Sequence, residues 1–290
     1  MISKKLTIVH LSDFHFSAPT KNLKQLFSNN DIFSKRFIGL LNHKYNRKHY
    51  FKKEIRNWVF DQLPKIPYDY LVITGDFTNV SQEEEFISAR KGLEPFLIKK
   101  NVIITHGNHD RYIPSSHKDN FLIKYFSDCF PYNQEFDGDI NKKFIELDQK
   151  TVLLEIDMAF SRPWYSSRGK VCADLNDYKK ILDAKYQDFF KIVIGHYPVF
   201  LHKGITQKKM HSLIEIEKMQ EFLATQKIDL HLHGHIHKSW SFSPIKNNPL
   251  ICVNSGGSCR YPSGKWSGFH VIEIEDKKIK VNKIEPNFSI

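Results

Sequence analysis

Short apolar runs recur along the chain, and each run is followed by a small residue and then by polar side chains. Five stretches show this pattern: "LTIVHLSDFH", "YLVITGDFTN", "NVIITHGNHD", "KIVIGHYP" and "IDLHLHGHIH". Runs of this length that are rich in Val, Ile and Leu are typical of strands buried on both faces, as in the centre of an α/β sheet. The pattern therefore predicts five core strands that end in polar residues.

Other segments show the periodicity of helices and hairpins. In "SLIEIEKMQEFLATQ", apolar residues recur at the spacing of one helix face. The stretches "PLICVNSGG", "GFHVIEIED" and "KKIKVNKIE" predict consecutive strands, the last two forming a hairpin around residues 275–278. These patterns together predict an α/β fold with mixed sheets covered by helices. Because no repeat or Pro/Gly/Ser linker divides the chain, we expect a single domain over residues 1–290.

The polar clusters after the predicted strands offer a set of metal-ligating side chains. The candidates are Asp13, His15, Asp76, Asn108, His196, His235 and His237. Because ligands collect at the carboxyl ends of strands in open α/β sheets, we expect these side chains to converge. Imidazole, carboxylate and one amide oxygen, with no thiolate, favour Mn, Fe or Zn in a reactive site over a structural zinc.

Two divalent metal ions fit this set better than one. Seven candidates exceed what one site with an open position would use, and a carboxylate such as Asp76 can bridge two cations. We therefore predict two ions, with Mn²⁺ preferred and Fe or Zn as alternatives. Such a pair activates a bridging water and holds the oxygens of an in-line displacement, the usual arrangement for cleaving phosphate esters.

The alternative for each cluster is an ordinary structural role, because a lone Asp or His at a strand end is more often a cap or a satisfied loop residue. Because five such clusters occur in one chain, each after an apolar run, a shared functional site explains them better than five separate structural roles. The other strand histidines, His10, His106, His231 and His233, are expected to be packed neighbours rather than ligands. The four cysteines lack metal-finger spacing and are expected to be reduced structural thiols.

A basic segment stands out between the first two polar clusters. Residues 35–56 hold eight Lys or Arg against Glu54 alone, so they contribute +7 of the net +11. We predict a basic amphipathic helical insertion over residues 20–62, with four apolar residues on one helix face: Phe33, Phe37, Leu40 and Leu41. Such a helix suits an anionic membrane surface. The alternative, a helix packed on the sheet with a solvated charged side, stays open.

The charge of this segment calls for an acidic partner, and anionic lipid, nucleic acid and a phosphorylated substrate all qualify. No obligate protein partner is inferred. The N-terminus meets Asp13 too early for a signal peptide, and no stretch approaches the length of a spanning helix. The sequence therefore predicts a cytoplasmic protein that is either soluble or peripheral on a membrane.

The order of the motifs D-x-H, G-D, G-N-H-D, G-H and G-H-x-H, between residues 13 and 237, resembles the calcineurin-like metallophosphoesterase superfamily. This resemblance implies a four-layer αββα sandwich of two mixed sheets, with a dinuclear site at its edge. It assigns one metal to Asp13, His15, Asp76 and His237, and the other to Asp76, Asn108, His196 and His235.

The resemblance also implies how the reaction proceeds. A metal-bound hydroxide attacks the phosphorus, so no Ser or Cys nucleophile is required. His109 is the catalytic residue that is not a ligand, contacting the phosphate and assisting the leaving group, and Asp110 orients it. An imidazole hydrogen-bonded to a carboxylate can be held as the donor that a departing oxygen needs.

The insertion beside the site is similar to that of the bacterial UDP-2,3-diacylglucosamine pyrophosphatases of the chlamydial type. This similarity implies a lipid A enzyme at the membrane, releasing UMP and 2,3-diacylglucosamine 1-phosphate. One departure matters, because the proteobacterial enzyme carries Arg where this chain has His109. The match is therefore to a different branch.

Other functions stay open. A cyclic-nucleotide or general phosphodiesterase shares the same motifs and needs no membrane segment. A non-catalytic scaffold on the same fold is a third possibility, although such scaffolds usually lack ligands or the catalytic histidine. Nucleic acid is a poor fit, because the basic run lacks interleaved stacking aromatics.

Substrate contacts are predicted from position alone. Six residues, three of them in the insertion, are proposed to contact substrate: Arg111, Arg162, Arg168, Phe37, Leu40 and Arg47. Tyr112 and Trp164 lie beside these arginines in the sequence. Arg next to aromatic residues can bind a phosphate and a base, but loops near any sheet edge often carry such residues.

Overall fold

The computed structural model describes residues 5–18, 35–45, 51, 53–98, 101–134, 138–260 and 268–285. The strands are β1 (Leu6–Leu11), β2 (Tyr70–Ile73), β3 (Val102–Ile104), β4 (Phe144–Asp148), β5 (Thr151–Glu155), β6 (Phe190–Ile194), β7 (Leu230–His233), β8 (Trp240–Phe242), β9 (Ile251–Asn254), β10 (Phe269–Glu275) and β11 (Lys278–Ile284). The α-helices are α1 (Lys35–Tyr45), α2 (Lys53–Gln62), α3 (Glu83–Leu97), α4 (Ser115–Asp119), α5 (Phe121–Phe126), α6 (Leu175–Lys185) and α7 (Ile216–Thr225).

The strands form two mixed sheets. In the first, the order is β11-β10-β1-β2-β3, and β1, β2 and β3 run parallel while β10 and β11 are antiparallel additions. In the second, the order is β4-β5-β6-β7-β9-β8, with a parallel centre from β5 to β9 and antiparallel strands at both edges. The five strands predicted from the sequence all lie inside these sheets, three in the first and two in the second.

Alternating side chains of the strands separate the layers. In β1, Ile8 belongs to an apolar cluster between the two sheets, whereas Val9 packs in a second cluster with α2, α3 and α5 on the outer side. A third cluster lies between the second sheet and helices α6 and α7, around Tyr178 and Phe222. The layers are therefore helices, sheet, sheet and helices, which confirms the predicted sandwich. A strand covered on both faces explains the continuous apolar runs.

A buried polar link joins the ends of the two sheets. The carboxylate of Glu155, at the end of β5, accepts a 2.6 Å hydrogen bond from Thr105, just after β3. Its other oxygen lies 2.6 Å from the ammonium of Lys143, and both charged side chains are buried. A buried carboxylate is costly without a partner, so Lys143 balances a charge that the link requires.

Apart from Phe51, which forms a β-bridge with Arg260, the described part of the basic insertion is helical, as predicted. Helix α2 buries Ile55 and Val59, and Val59 belongs to the apolar cluster on the outer side of the first sheet. This half is therefore an ordinary helix packed on the core. Helix α1 is largely half-exposed, with the buried Gly39 as an exception. Residues 20–34, 46–50 and 52 lie outside the described residues.

Three further expectations can be compared with the structure. The predicted C-terminal hairpin is confirmed by β10 and β11, whose turn places Asp276 and Lys277 at positive φ. The four cysteines are free, as expected. None of the described helices is both long and apolar enough to cross a membrane. The β4–β5 hairpin was not predicted from the sequence.

Candidate metal centre and cleft

The first candidate ligands lie in the loop after β1. The backbone N–H of Asp13 donates to the carbonyl of Gly75, and that of His15 donates to Asp76, both at 3.0 Å. Asp13 and His15 have φ values of +54° and +48°, so the backbone is left-handed rather than extended. An i, i+2 pair in extended backbone also points to one side, but that is not the geometry of this pair. The side chains converge because the loop is bent, a conformation that non-glycine residues rarely adopt outside functional sites.

Four side chains meet at this position. Ligand atoms of Asp13, His15, Asp76 and His237 all lie within 4.8 Å of one another. Nε2 of His237 is 3.2 Å from Oδ1 of Asp13 and 3.2 Å from Nε2 of His15. Asp13, His15 and Asp76 are almost fully buried.

Asp76 connects this group to a second one. Its Oδ2 lies 3.6 Å from Nε2 of His15 and 3.3 Å from Nε2 of His196. Oδ1 of Asn108 is 3.2 Å from the same nitrogen of His196 and 2.8 Å from Nδ1 of His235. The structure thus brings all seven predicted ligands together, and Asp76 stands between the two groups.

The hydrogen bonds of the histidines show that this cluster fits metal ions. Three of them have one ring nitrogen on a backbone carbonyl: His15 Nδ1 on Thr78 (3.0 Å), His196 Nδ1 on Thr74 (2.7 Å) and His235 Nε2 on His211 (2.8 Å). A carbonyl only accepts, so that nitrogen carries the hydrogen and the other presents a lone pair. Those lone pairs face carboxylate or amide oxygens, and Oδ1 of Asp13 is buried without a hydrogen-bond partner among the described residues. Cations between these acceptors would satisfy them, and carbonyl-bonded imidazoles are the usual supporting contacts of metal ligands.

The charges of the cluster agree with this interpretation. Burial by itself would raise the pKa of Asp13 and Asp76, but the facing imidazoles, His237 for Asp13 and His196 for Asp76, hold both pKa values below the ordinary range. Burial lowers the pKa of His196, yet Asp76 outweighs it and raises this pKa to about 9. Without a cation, Nε2 of His196 therefore carries a proton at neutral pH, and a bound metal ion would take the place of that proton. The carboxylates are therefore ionised, and the site attracts positive charge.

Two glycines are required by close approach. A Cβ at Gly107 would overlap the side chain of Asp76, and one at Gly234 would overlap Ser12 and Asp13. These backbones must approach so closely because the loops after β3 and β7 enclose the carboxylates. The small residue before each of these polar clusters is explained by this contact.

His109 lies beside the ligands and lines the cleft in front of them. Its backbone N–H donates to Oδ1 of Asp76 at 2.8 Å, and its Nδ1 hydrogen-bonds the carbonyl of Asn79. The ring meets His15 edge-on, with centroids 4.8 Å apart, and stacks on Tyr112 at 5.2 Å. The hydrogen on Nδ1 is thus fixed by Asn79, which leaves Nε2 for chemistry.

Asp110 has a different place from the one expected. Its oxygens accept hydrogen bonds from the backbone of Gly107 (2.9 Å) and Thr78 (3.0 Å), and from the hydroxyl of Thr78 (3.2 Å). The predicted orienting contact with the His109 ring is made by the carbonyl of Asn79. Asp110 instead holds the loop on which His109 sits. Burial, with Asp76 nearby, raises its pKa to about 7.

A cleft of about 420 Å³ opens in front of Asp76, Asn108, His109, His235 and His237. Its other described walls come from α1, Tyr112, residues 164–167, residues 206–208, His211 and Ile236. The α1 residues include Lys35 and Ile38, so the described half of the insertion that is not packed on the core lies beside the site.

Sequence reasoning missed several residues at the centre. The ring of Phe51 lies 4.5 Å from that of His15 and 5.6 Å from that of His237. Lys35 lies over the Tyr112 ring at 4.5 Å and donates to the carbonyls of Arg162 (3.1 Å) and Ser166 (3.2 Å). No local motif marks Phe51 or Lys35, and only their basic segment signalled a role near the site.

Of the predicted substrate contacts whose side chains the structure describes, none lines the cleft. Arg111 is largely buried and pairs with Asp157 at 2.5 Å. Arg162 stacks on Phe160 and donates to the carbonyl of Arg168, whose own Nε is buried. Of the insertion residues, Phe37 is half-buried in α1. Arg47 and the side chain of Leu40 lie outside the described residues.

A known protein family matches most of the sequence. The sequence matches the calcineurin-like phosphoesterases over residues 6–239. A comparison with curated proteins finds no match.

Solved structures resemble the chain at low identity. A Thermus thermophilus protein shares 11% identity with a TM-score of 0.48, covering 98% of this chain and 99% of its own. A putative 5′-nucleotidase from Staphylococcus aureus shares 13% identity with a TM-score of 0.48. The match covers 99% of this chain and 56% of the nucleotidase. A 5′-nucleotidase from Candida albicans shares 14% identity with a TM-score of 0.48. The match covers 98% of this chain and 52% of the nucleotidase. The chain thus spans about half the length of these two nucleotidases.

Proposed function

Because the chain belongs to the calcineurin-like phosphoesterase family and is therefore a hydrolase, we propose that it cleaves a phosphodiester or pyrophosphate bond with two divalent metal ions. The observation that carries this proposal is the convergence of seven ligands from five strand ends, with histidine lone pairs facing carboxylate and amide oxygens.

In this proposal, Asp13, His15, Asp76 and His237 hold one ion, and Asp76, Asn108, His196 and His235 hold the other. Asp76 would be shared between the two ions, since its Oδ2 faces both His15 and His196. Two bound ions supply a nucleophile from water at neutral pH and neutralise the charge on the phosphate oxygens. Mn²⁺ suits imidazole with carboxylate, and Fe or Zn also fits.

His109 carries the protein's own part in the chemistry. Its Nδ1 is held by the Asn79 carbonyl, so Nε2 is the atom that contacts the phosphate and, when protonated, gives a proton to the leaving oxygen. Asp110 contributes through the loop, by fixing Thr78 and Gly107 rather than the imidazole itself. A scaffold without catalysis would have no need for this histidine in the cleft.

For the substrate, we propose UDP-2,3-diacylglucosamine, with cleavage to UMP and 2,3-diacylglucosamine 1-phosphate at an anionic membrane surface. The support is the basic insertion, whose helix α1 lines the cleft and exposes 45% of Ile38 there. The alternative is a cyclic-nucleotide or general phosphodiesterase. Lys35 and Lys208 of the cleft favour the anionic phosphates of either kind of substrate. The two candidate functions differ in whether the substrate carries acyl chains.

The test measures UMP release from UDP-2,3-diacylglucosamine in detergent with Mn²⁺, beside cyclic AMP and a dye-linked diester. Asp76→Asn removes charge from the bridge, so turnover should fall on the order of 10³-fold and bound metal should drop, since a metal pair supplies several kcal/mol. Asp183→Asn, an exposed acid of α6, is the matched control.

Near-normal turnover by Asp76→Asn would contradict the two-metal site. Turnover of the soluble diesters alone would support the alternative function and remove the lipid substrate.

A further inference from the structure

Two large aromatic side chains are exposed in the segment between β5 and α6. Trp164 is 67% exposed and Tyr165 is 58% exposed. Their ring centroids are 5.7 Å apart and their planes meet at 88°, so together they form an aromatic corner. Both line the same cleft as the metal ligands. Exposed aromatic rings of this size gain strongly from being covered, and here a ligand in the cleft can cover them.

The backbone that carries this corner is held from several sides. Lys35 of α1 donates to the carbonyls of Arg162 and Ser166, which flank the two aromatic residues. The hydroxyl of Tyr197 donates to the carbonyl of Ser167 at 2.6 Å, and the N–H of Ser167 donates to Met210 at 2.9 Å. A backbone fixed in this way needs no further ordering when a ligand binds, which reduces the entropic cost of binding.

The neighbouring side chains indicate what the corner binds. Ser166, Ser167, Thr206 and Gln207 bring hydroxyl and amide groups to the same cleft. The hydroxyls of Ser166 and Ser167 and the amide nitrogen of Gln207 already bond to Met210 and His211. An alkyl chain in this place would still cover the remaining hydrogen-bonding capacity of these groups without pairing it, which is unfavourable. A nucleobase has flat faces for stacking and edge groups for hydrogen bonds, so it satisfies both kinds of wall. The cleft volume of about 420 Å³ lies in the range of small-ligand sites.

We propose that Trp164 and Tyr165 form a nucleobase subsite. The base stacks on one ring and meets the other edge to face, while Lys35 and Lys208 supply positive charge to the phosphates between the base and the metal ligands. This inference rests on the proposed function, because the base belongs to the phosphate ester that is hydrolysed at the metal centre.

Nucleosides test the subsite without the chemistry, because they carry the base and no phosphate. Titration of the purified, Mn²⁺-loaded protein with adenosine and uridine, followed by calorimetry and tryptophan fluorescence, should give saturable binding, while ribose should not bind. Trp164→Ala should weaken nucleoside binding about 5- to 150-fold, the range of base–aromatic stacking. Trp164→Phe keeps a flat ring and should retain most of the affinity.

Phe160→Ala is the matched control, since it removes another exposed aromatic side chain of the same segment, one that packs on His117 and Arg162. Its nucleoside affinity should equal that of the wild type. Octyl glucoside tests whether the two rings bind an alkyl chain instead of a base. If Trp164→Ala abolished octyl glucoside binding and left nucleoside binding unaffected, the proposal would be overturned.

Equal binding of ribose and nucleosides would also overturn it. Nucleoside binding that depends on Trp164, in a protein that hydrolyses no phosphate ester, would support the subsite and contradict the proposed function. Hydrolysis of phosphate esters by a protein whose nucleoside binding is unaffected by Trp164→Ala would support the proposed function and overturn the subsite.

Discussion

The metal edge and the aromatic wall of the same cleft are built in different ways. The metal edge consists of strand ends from both sheets, and Asp13, His15, Asp76 and His196 are almost fully buried there. The wall consists of α1 and two loops, and it exposes Ile38, Trp164 and Tyr165. A rigid scaffold can fix reactive groups while loops vary in what they contact. We therefore expect the edge to perform the chemistry and the wall to select the substrate.

The largest effect should come from the edge. His109→Ala should slow esters with poor leaving groups roughly 10²- to 10⁴-fold, the usual contribution of general acid catalysis, because the proton donor is lost. Activated dye-linked esters should slow far less, since their leaving groups need no proton. Rates for a leaving-group series, with bound metal measured in the same samples, check this.

His202→Ala is the control, because His202 is exposed, hydrogen-bonds the carbonyl of Lys203 and meets the ring of Phe242 edge-on. Equal slowing of poor and activated esters would reassign His109. Loss of metal in the variant would place it among the ligands.

A second prediction concerns the framework that joins the sheets. Lys143→Met leaves the buried carboxylate of Glu155 without its 2.6 Å ionic partner. Removing one member of a buried pair typically costs about 3–5 kcal/mol, so the free energy of unfolding should fall by that amount. Urea unfolding followed by circular dichroism measures it.

Lys150→Met changes an exposed lysine of the β4–β5 turn and should leave the free energy of unfolding within about 0.5 kcal/mol of the wild type. If both variants unfolded alike, the link between the sheets would not be a stabilising element. The difference between edge and wall would then need another physical basis.

The smallest effect should come from the wall, through Lys35. Burial lowers the pKa of this lysine to about 8. Its ammonium holds the carbonyls of Arg162 and Ser166, so raising the pH through about 8 should weaken this contact and raise KM. Lys35→Gln should raise KM about three- to tenfold at pH 7, as expected for loss of a hydrogen bond or two, and should flatten its rise with pH.

The same lysine also affects stability in a defined direction. Its pKa in the folded protein lies below that of the unfolded chain, so the unfolded state binds more protons above about pH 8. This group therefore makes the protein more stable as the pH rises from about 8 towards the ordinary lysine pKa, and Lys35→Gln should lack that gain. Urea midpoints at pH 7 and pH 10 check the sign, with the exposed Lys203→Gln as control. An unchanged gain in Lys35→Gln would show that Lys35 does not titrate there.

The sequence by itself determined the sandwich and the candidate ligands. Parallel strands buried on both faces must be continuous apolar runs, and the polar residues after them must lie at the same edge. Asp76, Asn108 and His196 could be identified because each belongs to a local motif directly after such a run. Gly107 and Gly234 follow two of these strands, and a larger residue at either position would overlap the carboxylate of Asp76 or Asp13.

Only the tertiary structure decided which other residues reach the site. Lys35 contacts Arg162 across 127 positions of the chain, and Phe51 reaches His15 and His237 from the basic segment. Arg111 belongs to Asp157 instead of the cleft, because burial of the acid demands a cation nearby. Contacts of this kind depend on how distant segments pack, and no short-range periodicity in the sequence records that packing.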